Sequence, residues 1–563
     1  MNKLNVVILS AGLGSRLNHI TNYIPKCLVN LGSKTALAHQ IEYYQKNYDN
    51  LDKIYLIVNG RYKKMVEGYL IANDYTGISV CVENEISGSA NAIRNFVNNH
   101  AFIGKTFLFN WCDIIPKSKM DLSNNRIIFT HGNQCRYRVD DVKVVFQSNS
   151  GNVIGLYYIP YMPNINGMYN NGEDFIKCFS TLSFDVQELE LLTDFGEYDK
   201  FKQVCSTFNI EREFNEILID GNTVRKKSIN PKGHKLQKDE LKWYKYADKN
   251  LVPKILAKSE YDKEFIMERI FGTMAFQSKL NKFEIVTKVI AQLDILHNSV
   301  PKKQINKEQL KTDITKEAID KLIHRCSVID QIVKAFGEIK TVNNLKIRSH
   351  LEVANLLYEK ILKCNENTKT YSFIHGDCNF SNIMIDEDEK IKFLDPRGYF
   401  GNTKLFGLES YDMAKVLYAC SGYDEFNSNW DFSINKIENN NIEFDIKPWM
   451  NTYLKLDIFS EECYYWLPLI WINLGGYYKN NPVKAIAAYY HGLYLAEIIL
   501  NKFDNPKTRI LKDGSKVPEL DNAVKCLVHT KCPNKWTLID NETGTKYRPT
   551  GSPDLHEMWE KIN

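Results

Sequence analysis

No stretch of the sequence approaches the roughly eighteen consecutive apolar residues that a membrane-spanning helix needs, so no membrane partner is expected. An excess of one charge sign is missing too. The 72 basic and 68 acidic residues leave a formal net charge of +4 over 563 residues, without any block of like charges. A nucleic-acid partner, which calls for a basic footprint, is therefore not expected. The thirteen cysteines contain no CxxC pair, which argues against a disulfide framework and for reduced thiols in a cytoplasmic protein. Cys526, His529 and Cys532 come nearest to a metal cluster, one ligand short of a structural zinc site. There is no internal repeat, no low-complexity tract and no Pro/Gly-rich linker. A chain of this length nevertheless exceeds what one core normally organises, so two abutting domains are expected, meeting near residues 200–215.

What is present begins at once. Asn5–Ser10 is an apolar run of strand length that leads into Ala11-Gly12-Leu13-Gly14-Ser15-Arg16 rather than into a cleavage site. A buried parallel strand feeding a glycine turn presents backbone N–H groups to phosphate. Arg16 and Lys26 add the positive charge that a triphosphate and its leaving pyrophosphate need, one as a planar fork and the other as a point charge. A dinucleotide fingerprint would want a third glycine at position 17, where leucine stands, and no GxxxxGK[ST] string occurs.

With Pro25-Lys26 downstream, this opening resembles the sugar-phosphate and phosphocholine nucleotidylyltransferases, whose motif is L-x-A-G-x-G-x-R followed by P-K. The resemblance spans residues 1–205. It implies a Rossmann-like mixed sheet with helices on both faces, and a nucleotide cradle of Ala11, Gly12, Gly14, Ser15, Ser87, Gly88 and Ser89. It also implies Arg16 and Lys26 as catalytic cations and a Mg²⁺ held by Asp113, which ends strand 106–113, and by Asp194 of Asp194-Phe195-Gly196. CTP, UTP or GTP would be the nucleotidyl donor. Arg136 and Arg138 fit either the acceptor's phosphate or a solvated strand face.

Beyond residue 205 the pattern changes. A strand-like segment around Lys226, a helix around Glu240 and a strand through Met267 fit the lysine–glutamate pair with which kinase-like folds grip ATP. Lys226 and Lys227 point to opposite faces of such a strand, and Lys226 is preferred. Then Ser372–Ile385 reads His375-Gly376-Asp377-x-x-x-x-Asn382, and a further strand ends in Asp395. An apolar strand thus delivers a base, and two oxygen donors for Mg²⁺ follow.

This string resembles the aminoglycoside phosphotransferase and choline kinase superfamily, over residues 210–505. The resemblance implies a C-terminal two-lobed, protein-kinase-like α+β domain with its smaller lobe at about 206–275. In it Asp377 is the catalytic base, Asn382 and Asp395 are metal ligands, Lys226, Glu240 and Met267 bind ATP, and His375 and Asp412 are structural supports. His297 is assigned to structure. Aromatic residues between 449 and 500, such as Tyr464, Trp466, Trp471 and Tyr478, read as packing rather than as a quaternary-ammonium cage. Residues 506–563 suggest a hairpin appendage around Glu542-Thr543-Gly544.

The expected function is a bifunctional α/β enzyme. It phosphorylates a small hydroxyl acceptor with ATP, then couples the product to a nucleotide with release of pyrophosphate, giving an NDP-sugar for surface polysaccharide. CDP-choline or CDP-ethanolamine synthesis is the alternative, and homo-oligomerisation is left open. An inactive nucleotide-binding regulator would have no chemical need for Arg16, Lys26, Asp113, Asp377, Asn382 and Asp395 together.

Overall fold

Val6, Val7 and Ile8 are wholly inaccessible, as a strand buried on both faces must be. In the computed structural model they lie in the middle of strand Leu4–Ser10, flanked in parallel by Leu51–Asn59 and Phe107–Trp111. The structure describes residues 3–84, 88–140, 143–168, 172–207, 214–429, 432, 434 and 436–504, and six strands within residues 505–563.

The N-terminal sheet has seven strands in the order Asp185–Glu188, Ile127–Asp140, Lys143–Ile159, Phe107–Trp111, Leu4–Ser10, Leu51–Asn59, Ile78–Glu83. It is mixed: Lys143–Ile159 runs antiparallel to both of its neighbours. Strand alternation assigns the faces. Val7, Leu9, Phe107 and Phe109 pack with Ala90, Ile93 and Phe96, so helix Ser89–Asn99 covers their side. Asn110 points to the other side, where its Nδ2 donates to the Tyr44 hydroxyl of helix Ala36–Asn47 at 2.8 Å. Helices therefore cover both faces, and the strand C-termini are left to form a site.

A second sheet, all antiparallel, runs Asn215–Asp220, Thr223–Ser228, Glu264–Glu268, Ile255–Lys258. Its first hairpin turns through Gly221-Asn222, with Gly221 at φ 52° as a tight two-residue turn requires. Helix Pro231–Tyr246 follows, capped by the Asn230 side chain, which accepts from Gly233 N at 2.7 Å. Trp243 of this helix is fully buried and donates from Nε1 to the Ile374 carbonyl at 2.7 Å. That bond ties the helix to the chain just before His375. The larger remainder is mainly helical, with Lys282–Asn298, His350–Cys364, Glu409–Cys420 and Glu461–Tyr477 among its members.

The two expected domains form one compact unit, Met1–Ala496, and Glu497–Asn563 forms another. Inside the first unit, helix Lys63–Ala72 packs on helix Lys321–Phe336 at Gly68. A methyl there would stand 2.8 Å from Gln331 Cβ and 3.1 Å from Ile332 N. Asn73 Nδ2 donates to the Lys479 carbonyl at 3.1 Å, and Lys479 Nζ donates to the Ala72 carbonyl at 3.0 Å. In the second unit, strands Leu527–His529, Trp536–Ile539, Lys546–Pro549 and Trp559–Ile562 form an antiparallel sheet. Cys526 and Cys532 lie outside the described residues. No helix among the described residues is long and apolar enough to cross a membrane.

Candidate active sites

Strand Leu4–Ser10 ends in the glycine loop. Gly14 takes φ 70°, and a methyl on it would lie 3.0 Å from Thr21 Cγ2, while Thr21 Oγ1 donates to the Gly14 carbonyl at 2.8 Å. Only glycine serves at that position. A methyl on Gly12 would meet nothing within 4 Å, so the loop offers bare backbone to open space. Gly88 takes φ 87°, with the Glu173 carbonyl where a Cβ would go, 2.5 Å away. Ser89 opens helix Ser89–Asn99, and its Oγ accepts from Phe175 N at 2.9 Å. Ser87 lies outside the described residues.

These groups line a cavity of about 330 Å³ together with Ala11, Ser15, Arg16, Lys26, Glu83 and Asp113. Lys26 and Asp113 are ion-paired and nearly inaccessible. Burial opposes charge on the Lys26 ammonium, yet Asp113 more than offsets it and its pKa is raised. Burial likewise works against the Asp113 carboxylate, and Lys26 holds its pKa below the usual range.

The second carboxylate arrives by strand pairing. Leu191–Asp194 runs antiparallel to Ile114–Pro116, with Asp194 opposite Ile114, the neighbour of Asp113. Gly196 then lies between the two acids. A methyl on it would be 2.9 Å from Asp113 Oδ2 and 3.4 Å from Asp194 Oδ1. Among the described residues no three His, Cys, Asp or Glu side chains gather as a metal cage. Two converging carboxylates suit Mg²⁺, which completes its shell with water and substrate phosphates.

A second cavity, of about 400 Å³, is lined by Cys135, Arg136, Tyr137, Asp174, Asp194 and Lys200 among others. It shares Arg16, Trp111, Asp113 and Gly196 with the first. Arg136 pairs with Asp174 at 2.9 Å, and the Tyr137 hydroxyl donates to the same carboxylate at 2.6 Å. Arg138 is exposed and lies outside this lining.

The C-terminal residues also converge. Lys226 is 4% exposed, its Nζ lies 2.8 Å from both Glu240 oxygens, and it reaches Asp395 as well, whereas Lys227 is exposed. Burial alone would lower the Lys226 pKa; the two carboxylates raise it. Met267, on strand Glu264–Glu268, is buried opposite Val224. Register brings the two oxygen donors together. Ile383 pairs with Phe393, so Asn382 and Leu394 adjoin, and Leu394 N donates to the Asn382 carbonyl at 2.8 Å. Asn382 Nδ2 donates to the Asp377 carbonyl at 2.9 Å, and Asp395 adopts φ 49°, a strained backbone for a non-glycine residue. An amide and a carboxylate are hard oxygen donors that suit Mg²⁺.

Asp412 shapes the loop before Asp377. Its carboxylate accepts from His375 N at 2.8 Å, from Gly376 N at 2.6 Å and from His297 Nε2 at 3.0 Å. His375 Nδ1 accepts from Asp377 N at 3.2 Å, which leaves Nε2 to donate to the Leu394 carbonyl at 2.8 Å. Burial lowers the His375 pKa, consistent with that neutral tautomer. Lys415 Nζ lies 2.9 Å from Asp377 Oδ1 and, against the effect of burial, holds that carboxyl below its usual range. Tyr464, Tyr465, Trp466 and Trp471 are core residues of helix Glu461–Tyr477.

Residues 5–117 match the family model described as nucleotidyl transferase. The N-terminal region thus carries the Rossmann-like mixed sheet of that family. Among curated proteins, it is 30% identical over 131 residues to D-glycero-alpha-D-manno-heptose 1-phosphate guanylyltransferase of Campylobacter jejuni, covering 22% of this chain and 55% of that protein. It is also 30% identical over 118 residues to bifunctional protein GlmU of Methanococcus maripaludis, covering 21% of this chain and 26% of the relative. The chain therefore spans about a quarter to a half of the length of these relatives. Among solved structures, CTP:phosphocholine cytidylyltransferase from Streptococcus pneumoniae superposes with a TM-score of 0.30 at 16% identity, over 36% of this chain and 98% of that one. HddC from Yersinia pseudotuberculosis gives 0.28 at 19%, over 36% and 99%.

Several residues at these sites escape a reading of the sequence. Gly196 matters only because two carboxylates meet over it. Lys415 had a signal, since it stands three residues after Asp412 and shares its helix face. Arg397 and Glu317 had none: their ion pair joins positions 80 residues apart.

Proposed function

We propose that this chain is a bifunctional enzyme. One site phosphorylates a small hydroxyl compound with ATP, and the other transfers a nucleotidyl group from an NTP to the phosphorylated product, releasing pyrophosphate. The product is an NDP-activated precursor, an NDP-sugar, for surface polysaccharide. The observation that carries the reading is the shared wall of the two N-terminal cavities, where Arg16, Asp113 and Gly196 face both.

Such a wall is what an in-line displacement needs, with the triphosphate on one side and the attacking phosphate on the other. The glycine loop binds the donor phosphates through backbone N–H groups, and Arg16 and Lys26 neutralise the charge that builds on departing pyrophosphate. Arg136 and Lys200 orient the acceptor in the second cavity. Asp113 and Asp194 would hold Mg²⁺, which supplies charge neutralisation between the reacting phosphates.

The kinase half rests on the grouping of Lys226, Glu240, Asn382 and Asp395 beside Asp377. Lys226, fixed by Glu240, binds the ATP phosphates, and Asp377 receives the proton of the acceptor hydroxyl. Asn382 and Asp395 would hold the Mg²⁺ that neutralises the transferred phosphoryl group. A sugar acceptor is favoured over choline or ethanolamine by the heptose 1-phosphate guanylyltransferase among the relatives. The test follows ADP and pyrophosphate in parallel with ATP, CTP, UTP and GTP over a panel of sugars, choline and ethanolamine. Ordered release of ADP and then pyrophosphate from one acceptor supports the reading. Pyrophosphate from phosphorylated acceptors alone would remove the kinase half.

A further inference from the structure

We infer that the hydroxyl compound bound beside Asp377 carries an anionic group, a carboxylate or a phosphate, and that Lys321, Arg397 and Lys415 receive it. This deepens the proposed kinase reading and rests on it for the identity of the reacting group.

The first observation is a local charge imbalance, opposite in sign to the one at Lys226, where a single lysine is shared by Glu240 and Asp395. Three cations, Lys321, Arg397 and Lys415, gather around two carboxylates, Glu317 and Asp377. Arg397 is paired with Glu317 through both of its terminal nitrogens, Lys321 Nζ lies 2.9 Å from Glu317 Oε2, and Lys415 Nζ lies 2.9 Å from Asp377 Oδ1. Glu317 is already saturated, because the Tyr411 hydroxyl and Gly401 N also donate to it, at 3.2 and 3.3 Å. The surplus is felt at Lys321. Its pKa is pushed down to about 7 by burial and by the charges of Arg397 and Lys415, in spite of Glu317. A bound anion would relieve this repulsion and complete the pairing.

The second observation is access. The side chains of Lys321 and Asp377 are 29% and 35% exposed, against 14% for Arg397 and 11% for Lys415. Solvent therefore reaches the cluster at the surplus lysine and at the base.

The third observation concerns the aromatic rings. A quaternary ammonium needs open ring faces. Here Arg397 lies 3.9 Å over Tyr399, Lys415 lies 5.3 Å over Tyr418, and Lys484 lies 5.4 Å over Tyr478. A cation of the protein therefore already lies over each of these rings, and it repels a quaternary ammonium that approaches them.

The test uses the full chain and matched acceptors that differ in charge: glucose, glucuronate and glucose 6-phosphate; glycerol, glycerate and glycerol 3-phosphate; and choline. Binding is read by calorimetry with ADP present, and turnover by ADP release. The anionic members are expected to bind and to turn over with a kcat/KM roughly tenfold or more above the neutral ones, the effect of one charge-assisted hydrogen bond. Lys321→Gln should erase that preference through KM with kcat little changed, and Lys321→Arg should restore it. Preference for neutral acceptors or choline, absence of anion binding, or a preference that survives Lys321→Gln would overturn the proposal. Anion binding that depends on Lys321, without ADP release from any acceptor, would retain the anion site and sink the kinase reading instead. Should Lys321→Gln fail to fold, the wild-type comparison across the matched acceptors still decides.

Discussion

Nζ of Lys226 is 2.8 Å from each carboxylate oxygen of Glu240, and all three atoms are buried. Removing the lysine strands Glu240 and exposes Asp395 to its charge, so Lys226→Met should destabilise the protein by about 3–5 kcal/mol, the cost of breaking a buried pair. It should also lower ADP release by roughly 10²–10³-fold, as for loss of one aimed electrostatic donor. Lys227→Met, at the exposed neighbour, should change neither thermal unfolding nor turnover. Equal losses from both variants would show that the buried position has no special part.

Gly196 has no positive φ to protect, so Gly196→Ala tests the approach of the two carboxylates without backbone strain. Its methyl would stand 2.9 Å from Asp113 Oδ2 and displace whatever is held there. Pyrophosphate release should fall about 10²-fold, the scale of a misplacement near 1 Å, with ADP release unchanged. A fully active variant would mean that Asp113 and Asp194 do not act together.

The glycine loop and Lys26 were legible because they follow a hydrophobic run within one stretch, and Asp113, whose metal role came by resemblance, stands at the end of a strand that such a run announces. Alternation sent Lys226 and Lys227 to opposite faces without saying which of them met Glu240, and it is the burial of Lys226 beside that carboxylate that separates them. Asp194 came only by resemblance, since its approach to Asp113 depends on a three-residue strand pairing 80 residues downstream. The joining of two domains into one unit was not legible, because Gly68, Asn73 and Asn30 reach Gln331, Lys479 and Asn480 through contacts that leave no periodic trace. Glu317 was hidden for a similar reason. It lies on a π-helical turn, Lys316–Asp320, inside an otherwise ordinary helical run, and its partners come from the segment after Asp395.

The two chemistries should separate by mutation. Asp377→Asn is expected to lower ADP release by roughly 10²–10⁴-fold, as for loss of a positioned base, and to leave pyrophosphate release intact. Asp113→Asn should do the reverse, with a loss of about 10²-fold or more. Parallel assays with free and phosphorylated acceptors read both. A joint fall in either variant, with the fold preserved, would contradict two independent sites.

Glu317 sets a pH dependence whose sign can be worked out. Burial disfavours its charge, but Arg397 and then Lys321 hold its carboxyl well below the ordinary value near 4.3. The unfolded chain therefore binds the proton more readily, and stability rises with pH through that interval. The contribution is present in full above about pH 5, clear of the unfolded value, and drains away as the pH falls toward the folded value. Glu317→Gln, which leaves Arg397 buried without its counter-charge, should lower stability by about 3–5 kcal/mol at pH 7. Urea unfolding midpoints at pH 7, 5 and 3 should show the gap between wild type and variant closing only at the lowest pH. A gap that stays constant would assign the effect to packing, because packing does not titrate.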